Sequence, residues 1–255
     1  MFTVLIVGCA VLGLLIGSFL NVVIYRVPRN DSIVSPRSAC PSCAAPIAAR
    51  DNVPLLSWLV LRGHCRHCHA SIDVRYPIVE LATALLFVCV AMRFGFNWDV
   101  PAFLLLFAGL LALSWIDVEH LVLPKRVVYA QLVLVAAALL ADALITHQWQ
   151  RLLEAVACSI GWFALFFILN LINPHWLGFG DVRLALVLGL ALGWLGFGDV
   201  VLGFFAANLI GAVVGVALII AGTIERNRPI PYGVVLSLGA GVSVFAGPAL
   251  LAPFH

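Results

Sequence analysis

Long apolar runs separated by short polar breaks dominate this chain. The runs are about 15 to 25 residues long, close to the roughly 20 that an α-helix needs to cross a bilayer. We interpret them as eight spans with approximate bounds 2–25, 76–93, 101–116, 127–146, 152–172, 183–197, 200–222 and 231–252. The shortest break, between the sixth and seventh, is Gly196-Phe-Gly198-Asp199, a turn with two glycines. The pattern predicts an all-α polytopic membrane protein with about eight transmembrane helices.

The composition agrees with this interpretation. Of the 255 residues, 64% are hydrophobic and 10% are charged, whereas a soluble domain has about 25% charged residues. We therefore expect a lipid bilayer as the environment and no nucleic-acid partner. The first 25 residues carry no charge, so they lack the basic start of a cleaved signal peptide and are predicted to remain as the first helix.

The basic residues predict an orientation. The polar segment 26–75 contains seven arginines, and placing it in the cytoplasm puts 12 of the 14 basic residues on that side. Basic residues prefer cytoplasmic loops, so we expect a periplasmic N-terminus. The cytoplasmic set outside that segment is Lys125, Arg126, Arg183, Arg226 and Arg228, and the two exceptions are Arg93 and Arg151.

Four of the seven cysteines form two Cys-x-x-Cys pairs in the polar segment. The pairs are Cys40-Pro-Ser-Cys43 and Cys65-Arg-His-Cys68, with 21 residues between them. Four thiolates at this spacing suit a tetrahedral structural zinc site, and the reducing cytoplasm argues against disulfides. The histidines beside the second pair are alternative ligands, but four cysteines complete the site without them. We predict that zinc stabilises a segment too poor in apolar residues to fold alone.

Two aspartates lie at the ends of apolar runs, and the span count places both ends on the cytoplasmic side. They are Asp117 in Trp-Ile-Asp-Val-Glu-His and Asp181 in Gly178-Phe-Gly180-Asp-Val-Arg183. Each alone could be a solvated boundary residue, but carboxylates at a bilayer boundary are often functional. Together they could share a proton and activate water. Gly178 and Gly180 would let the backbone approach a ligand closely, which suits a cleft.

The helix ends suggest a division of roles within this pair. Asp181 is predicted near the start of a helix, which favours the carboxylate and hence a general base, and Asp117 near the end of one, which favours a neutral acid. Arg183 would either draw in substrate and stabilise Asp181, or simply anchor the helix at the cytoplasmic face. The hexapeptide Leu-Gly-Phe-Gly-Asp-Val recurs at 195–200, but its Asp199 falls on the opposite side of the bilayer and is interpreted as a turn residue.

The order of these motifs resembles the type 4 prepilin peptidase family. The stretch from Asp117 to Pro124 is similar to the first catalytic motif of the family, and Gly178 to Arg183 is similar to the second, with arginine where lysine is usual. Further similar stretches are Gly17 to Pro28, Arg75 to Glu80, and Pro231-Tyr-Gly233. The resemblance implies an inner-membrane aspartic peptidase that cleaves prepilins and type II secretion pseudopilins at the cytoplasmic face, with Pro231 and Gly233 shaping the cleft.

The resemblance also implies a second activity. Family members with four cysteines usually methylate the new N-terminus with S-adenosylmethionine. On this basis Gly63 and Glu80 are candidate methyl-transfer residues, although Glu80 could instead pair with Arg75. The implied division is a first helix (1–25), a cytoplasmic zinc-binding loop with a methylation-linked segment (26–75), and the peptidase helices (76–255). Residue chemistry alone leaves two alternatives open, a proton-coupled transporter and a non-catalytic zinc-binding scaffold.

Overall fold

Helices account for nearly all the regular structure in the computed structural model, which describes residues 1–174, 177–221 and 231–252. The helices are α1 Phe2–Arg26, α2 Leu56–Val60, α3 Arg75–Phe94, α4 Val100–His120, α5 Lys125–Thr146, α6 Trp149–Ile172, α7 Phe179–Leu195, α8 Phe197–Ile220 and α9 Tyr232–Leu251. Within the described residues there is no strand, only two isolated bridges in the polar segment. The all-α prediction is confirmed. Arg226 and Arg228, which entered the charge count, lie outside the described residues.

Eight long helices follow the eight predicted spans in order. Seven of them are long and apolar enough to cross a membrane, within the described residues. The remaining one, α7, has 17 residues, the lower limit for a spanning helix. The one-residue break between α7 and α8 falls at Gly196, whose φ of 144° few other residues adopt.

Two predicted boundaries shift in ways that matter for the aspartates. Helix α4 continues one turn past its predicted end and stops at Leu121, which adopts the left-handed conformation. Helix α7 starts four residues before its predicted start, with Gly178 as its N-cap residue. Asp117 therefore lies in the last turns of α4, and Asp181 lies within the first turn of α7 rather than ahead of it.

The chain divides into two compact units, Met1–Phe96 and Asn97–His255. In the first unit, α1 packs along α3. Asn21 of α1 donates a hydrogen bond to the backbone oxygen of Tyr76 in α3, 3.1 Å away, which is the interhelical contact that an amide in an apolar span predicts.

The second unit is built around α7. This helix contacts each of the other long helices of the unit, α4, α5, α6, α8 and α9, and most of its side chains are buried. Because protein rather than lipid surrounds α7, its position does not depend on spanning the full hydrocarbon thickness. Its N-terminal end carries Asp181 to the ends of α4 and α9.

Candidate active site and metal centre

Asp117 is held by the start of a helix distant in sequence. Its Oδ2 accepts a hydrogen bond of 2.8 Å from the backbone N–H of Gly233 in α9, and the next N–H, of Val234, also faces the carboxyl group. The residue is 5% exposed. The first N–H groups of a helix have no intrahelical partner, so a carboxyl group is a natural acceptor for them.

Asp181 lies close to this arrangement. Its carboxyl group turns back toward Gly178, whose Cβ, if it had one, would lie 3.2 Å from Asp181 Oδ2, and the residue is 9% exposed. Gly180, the residue before Asp181, and Gly233, whose N–H binds Asp117, both pack against Leu123, so the fold brings two aspartates 64 positions apart in sequence into one region. The structure thus brings the two predicted aspartates together inside one unit.

Leu123 links the two halves of the candidate site. A Cβ at Gly180 would lie 2.8 Å from Leu123 Cβ, and a Cβ at Gly233 would lie 2.9 Å from both Leu123 Cδ2 and Asp117 Oδ2. A side chain would not fit at either glycine without movement, since Gly180 lies against Leu123 and Gly233 lies against both Leu123 and Asp117. Pro231 precedes α9 in an extended conformation as its N-cap residue.

Tyr232 is a neighbour of the pair that the sequence did not single out. Its hydroxyl donates to Asn208 Oδ1 of α8 at 3.3 Å, and the charge of Asp181 acts on it. This hydrogen bond joins α9 to α8. Leu123 was missed because nothing distinguishes it from other leucines, while Tyr232 was present in the Pro231-Tyr-Gly233 stretch without a role.

Arg183 and Asp199 are accounted for by other contacts. The Arg183 guanidinium lies over the ring of Phe179, 4.5 Å from its centroid, and farther from Tyr129; within the described residues no ion pair joins it to Asp181. Asp199 lies in the first turn of α8, at the other end of α7 from Asp181, where its Oδ1 accepts from Ser243 Oγ at 3.1 Å. It is separate from the aspartate pair, as the sequence predicted.

The helix termini near the two aspartates do not assign separate roles to them. Asp117 does lie near the C-terminal end of α4, but its carboxyl group accepts hydrogen bonds from the N-terminus of α9. Asp181 lies at the N-terminus of α7. Both carboxyl groups therefore lie at helix N-termini, and the helix dipoles no longer distinguish a base from an acid.

The four cysteines of the polar segment converge. All four Sγ atoms lie within 4.8 Å of one another, and Cys40 Sγ lies 3.8 Å from Cys68 Sγ. A tetrahedron with Zn–S bonds of about 2.3 Å has edges of about 3.8 Å, so the cluster fits a tetrahedral metal ion. Backbone N–H groups of Cys43 and Ser42 lower the pKa of the Cys40 thiol to about 6, whereas at Cys68 the opposing backbone N–H of Ala70 is outweighed by burial and the neighbouring thiols, which raise the pKa of that thiol to about 11. Of these two, Cys40 more readily becomes the thiolate that a metal requires.

The two cysteine pairs are built identically. In the first pair, the Cys40 N–H donates to the Ala45 carbonyl oxygen, and the Ala44 N–H donates to the Cys40 carbonyl oxygen. In the second pair, the Cys65 N–H donates to the Ala70 carbonyl oxygen, and the His69 N–H donates to the Cys65 carbonyl oxygen. The residue after each pair, Ala44 or His69, has positive φ. A sequence offset of 25 residues relates the two turns.

The second turn is fastened to its surroundings. Arg66, between Cys65 and Cys68, forms a bidentate ion pair with Asp51 at 2.6 and 2.9 Å, and this contact lowers the pKa of Asp51. The ion pair joins the second cysteine turn to the short 3-10 helix Ala49–Asp51.

The candidate methyl-transfer residues both contact α2 or its cap. Gly63 has a φ of 71°, and a Cβ there would lie 3.1 Å from the Trp58 ring. Glu80 accepts a hydrogen bond of 2.8 Å from the N–H of Leu55, the N-cap residue of α2. Ser18 also forms a hydrogen bond with Glu80.

Comparison with known proteins identifies the relatives. The bacterial peptidase A24 N-terminal domain matches residues 11–94, and the type IV leader peptidase family matches residues 104–216. A protein of Stutzerimonas stutzeri named prepilin leader peptidase/N-methyltransferase is 36% identical over 96% of this chain and 92% of its own length. A protein of the same name from Pseudomonas aeruginosa is 36% identical over 92% of this chain and 88% of its own length. One from Bacillus subtilis is 29% identical over 94% of this chain and 94% of its own length. No solved structure matches the chain.

Proposed function

The chain belongs to the type IV leader peptidase family, and from this premise we propose that it removes the leader of prepilins and pseudopilins with Asp117 and Asp181 as its catalytic pair. The observation that carries the proposal is that Gly233, at the start of α9, binds the buried Asp117 carboxyl group, while Leu123 contacts both this glycine and Gly180, the residue before the buried Asp181. Relatives named prepilin leader peptidase/N-methyltransferase support the substrate class.

Two adjacent carboxyl groups suffice for peptide hydrolysis. One carboxylate takes a proton from a water molecule as the water oxygen attacks the scissile carbonyl carbon, and the other, neutral carboxyl group donates a hydrogen bond or proton to the carbonyl oxygen. The C–N bond then breaks, and the departing nitrogen takes a proton from the pair. The mechanism requires one carboxylate and one neutral carboxyl group, so the pair is active when it carries one proton between its two members.

We place this chemistry at the cytoplasmic face of the inner membrane. The basic residues predict that side for both aspartates when each of the eight long helices, including the 17-residue α7, is counted as one crossing. The periplasmic N-terminus follows from the same count.

The test is cleavage of a prepilin by purified full-length protein in detergent. Asp117→Asn and Asp181→Asn should each abolish cleavage, because an amide neither accepts the water proton nor donates an acid proton. Loss of about a hundredfold to ten-thousandfold is expected for a group that performs proton transfer. The readout is the shift of the pilin band on a gel.

Asp199→Asn is the matched control. It makes the same change in the other copy of the Leu-Gly-Phe-Gly-Asp-Val sequence, away from the pair, and should retain cleavage. If either Asn variant of the pair cleaves at the wild-type rate, the two-carboxylate mechanism is wrong, and a transporter or scaffold role regains weight.

We further propose that the new N-terminus is methylated and that zinc occupies the four-cysteine cluster. S-adenosylmethionine, when bound, supplies the methyl group. Glu80 fits this group in its chemistry, since a buried carboxylate can pair with the cationic methionine part of the donor or with the pilin ammonium. Gly63 holds the turn before Cys65 against Trp58, which makes its role one of positioning.

Mass spectrometry of the cleaved pilin tests the methylation step. Glu80→Gln should reduce the methylated fraction and leave leader removal intact, while zinc content reports that the segment remains folded. Normal methylation by Glu80→Gln would remove this residue from the proposal without affecting the aspartate pair.

A further inference from the structure

The outward face of α2 is apolar although it lies in the polar segment. Leu56, Leu59 and Val60 are 60%, 62% and 75% exposed. The opposite side of this five-residue helix is turned inward, with Trp58 Nε1 donating to the backbone oxygen of Ile72 and the Trp58 ring against Gly63. Three adjacent exposed aliphatic side chains on one short helix point to a surface that something apolar covers.

A hydrogen bond fixes the depth of α2 relative to a membrane helix. The N–H of Leu55, the N-cap residue of α2, donates to Glu80 Oε2. Glu80 is the sixth residue of α3, a candidate span that starts at Arg75. At 1.5 Å per residue, Glu80 lies roughly 8 Å along that helix. The start of α2 is therefore level with the membrane end of α3 and not out in bulk solvent.

The charges around α2 complement a negatively charged surface. Segment 26–75 contains seven arginines against three aspartates. Near α2, Arg50 and Arg62 are exposed, whereas Arg66 is paired with Asp51. A shallow cavity of about 130 Å³ joins the apolar face to this charge. It is lined by Arg50, Asp51, Val53, Leu56, Ser57, Val60, Leu61 and Arg66. Guanidinium groups above an aliphatic floor match a lipid phosphate above an acyl chain.

We propose that α2 is an interfacial helix that inserts Leu56, Leu59 and Val60 into the lipid leaflet, with anionic phospholipid headgroups against the neighbouring arginines. Covered by lipid, the apolar face no longer contacts water. Because Trp58 of the same helix packs on Gly63, two residues before Cys65, the contact holds the cysteine module at the membrane surface. The proposal does not depend on the peptidase assignment.

Site-specific photocrosslinking in the full-length protein tests this contact. A diazirine amino acid replaces Leu59, and the protein is placed in nanodiscs of phosphatidylethanolamine and phosphatidylglycerol. The same probe replaces Val4, an exposed residue of α1, as a lipid-facing reference, and Ser42, an exposed residue of the first cysteine turn, as a water-facing one. Retained zinc shows that each variant is folded.

Mass spectrometry after illumination should find lipid adducts at positions 59 and 4 and water adducts at position 42. Water adducts at position 59 would overturn the proposal. Crosslinks from position 59 to a second copy, or to another protein, would also overturn it and identify this face as a protein interface.

The charge requirement has its own variants. Arg50→Gln with Arg62→Gln should lower the phosphatidylglycerol share of the adducts at position 59 by about twofold or more, because basic side chains at the surface attract anionic lipids. Arg37→Gln removes an exposed charge of the same segment outside α2 and should leave that share unchanged. If the double variant and Arg37→Gln give the same phosphatidylglycerol share of adducts at position 59, the anionic-headgroup part of the proposal is wrong.

Discussion

Gly233 shows how a residue without a side chain shapes the candidate active site. Its N–H binds Asp117 Oδ2 at 2.8 Å, and the space where a Cβ would lie is already taken by Asp117 and Leu123. A glycine here lets the start of α9 reach the carboxyl group directly. Asp117 can therefore keep this position only because residue 233 has no Cβ atom.

We expect Gly233→Ala to reduce prepilin cleavage by at least about tenfold, because a new methyl group displaces Asp117 or withdraws the N–H donors, and a misplaced catalytic group is costly. Gly241→Ala, which makes the same change in α9 where nothing lies within 4 Å of the new Cβ, should have near wild-type activity. Cleavage assays on both variants provide the comparison, and equal rates would show that Gly233 does not position Asp117.

Close helix contact explains how α7 reaches the centre of its unit. Gly189 and Gly193 face α6 four residues apart, and Cβ atoms there would lie 2.7 Å from Ser159 Cα and 2.6 Å from Cys158 Cβ. Small residues at this spacing allow backbones to approach in a membrane, where dispersion contacts replace the hydrophobic effect. The short α7 is held by this contact with α6.

Gly189→Ala should destabilise the protein by about 1–3 kcal/mol, because the added methyl group meets backbone rather than a movable side chain. Gly161→Ala on the partner helix α6 enters open space and serves as the control. Thermal unfolding in the same detergent compares the stability of the two variants. A melting temperature of Gly189→Ala equal to that of the wild type would mean that α6 and α7 can move apart without loss of stability.

On the scale of the whole molecule, the described residues form two units with different sources of order. Residues 1–96 contain the four-cysteine module, whose segment has few apolar residues to bury. Residues 97–255 contain helices that enclose α7 and the aspartate pair. Metal binding is expected to stabilise the first kind of structure far more than the second.

Cys40→Ser should therefore release zinc and expose the amides of residues 38–72 to hydrogen exchange, while those of α4 to α9 stay protected. Cys89→Ser is the control, because Cys89 lies in α3 outside the cluster. Metal analysis and exchange mass spectrometry are the measurements. Full zinc content in Cys40→Ser, or no change in exchange at 38–72, would contradict a structural metal site.

Much of this protein follows from local sequence. The lengths of the apolar runs determined the eight long helices, since each helix satisfies its own backbone hydrogen bonds within a bilayer. The spacing of Cys40, Cys43, Cys65 and Cys68 predicted one cluster, since two turns of identical geometry can each supply two ligands. The candidate aspartates were also visible, because each lies at the end of an apolar run within a distinctive short motif, and the span count puts both ends on one side.

Tertiary structure decided what these local signals could not. Only the packed helices bring the Gly233 N–H to Asp117 and put Leu123 beside Gly180, because such contacts join residues that are far apart in sequence and carry no periodic pattern. The same contacts removed the helix-end distinction between the two aspartates. Sequence determined which groups are present and which helices carry them, and packing decided their distances and shared partners, because these depend on how close two helix backbones can come.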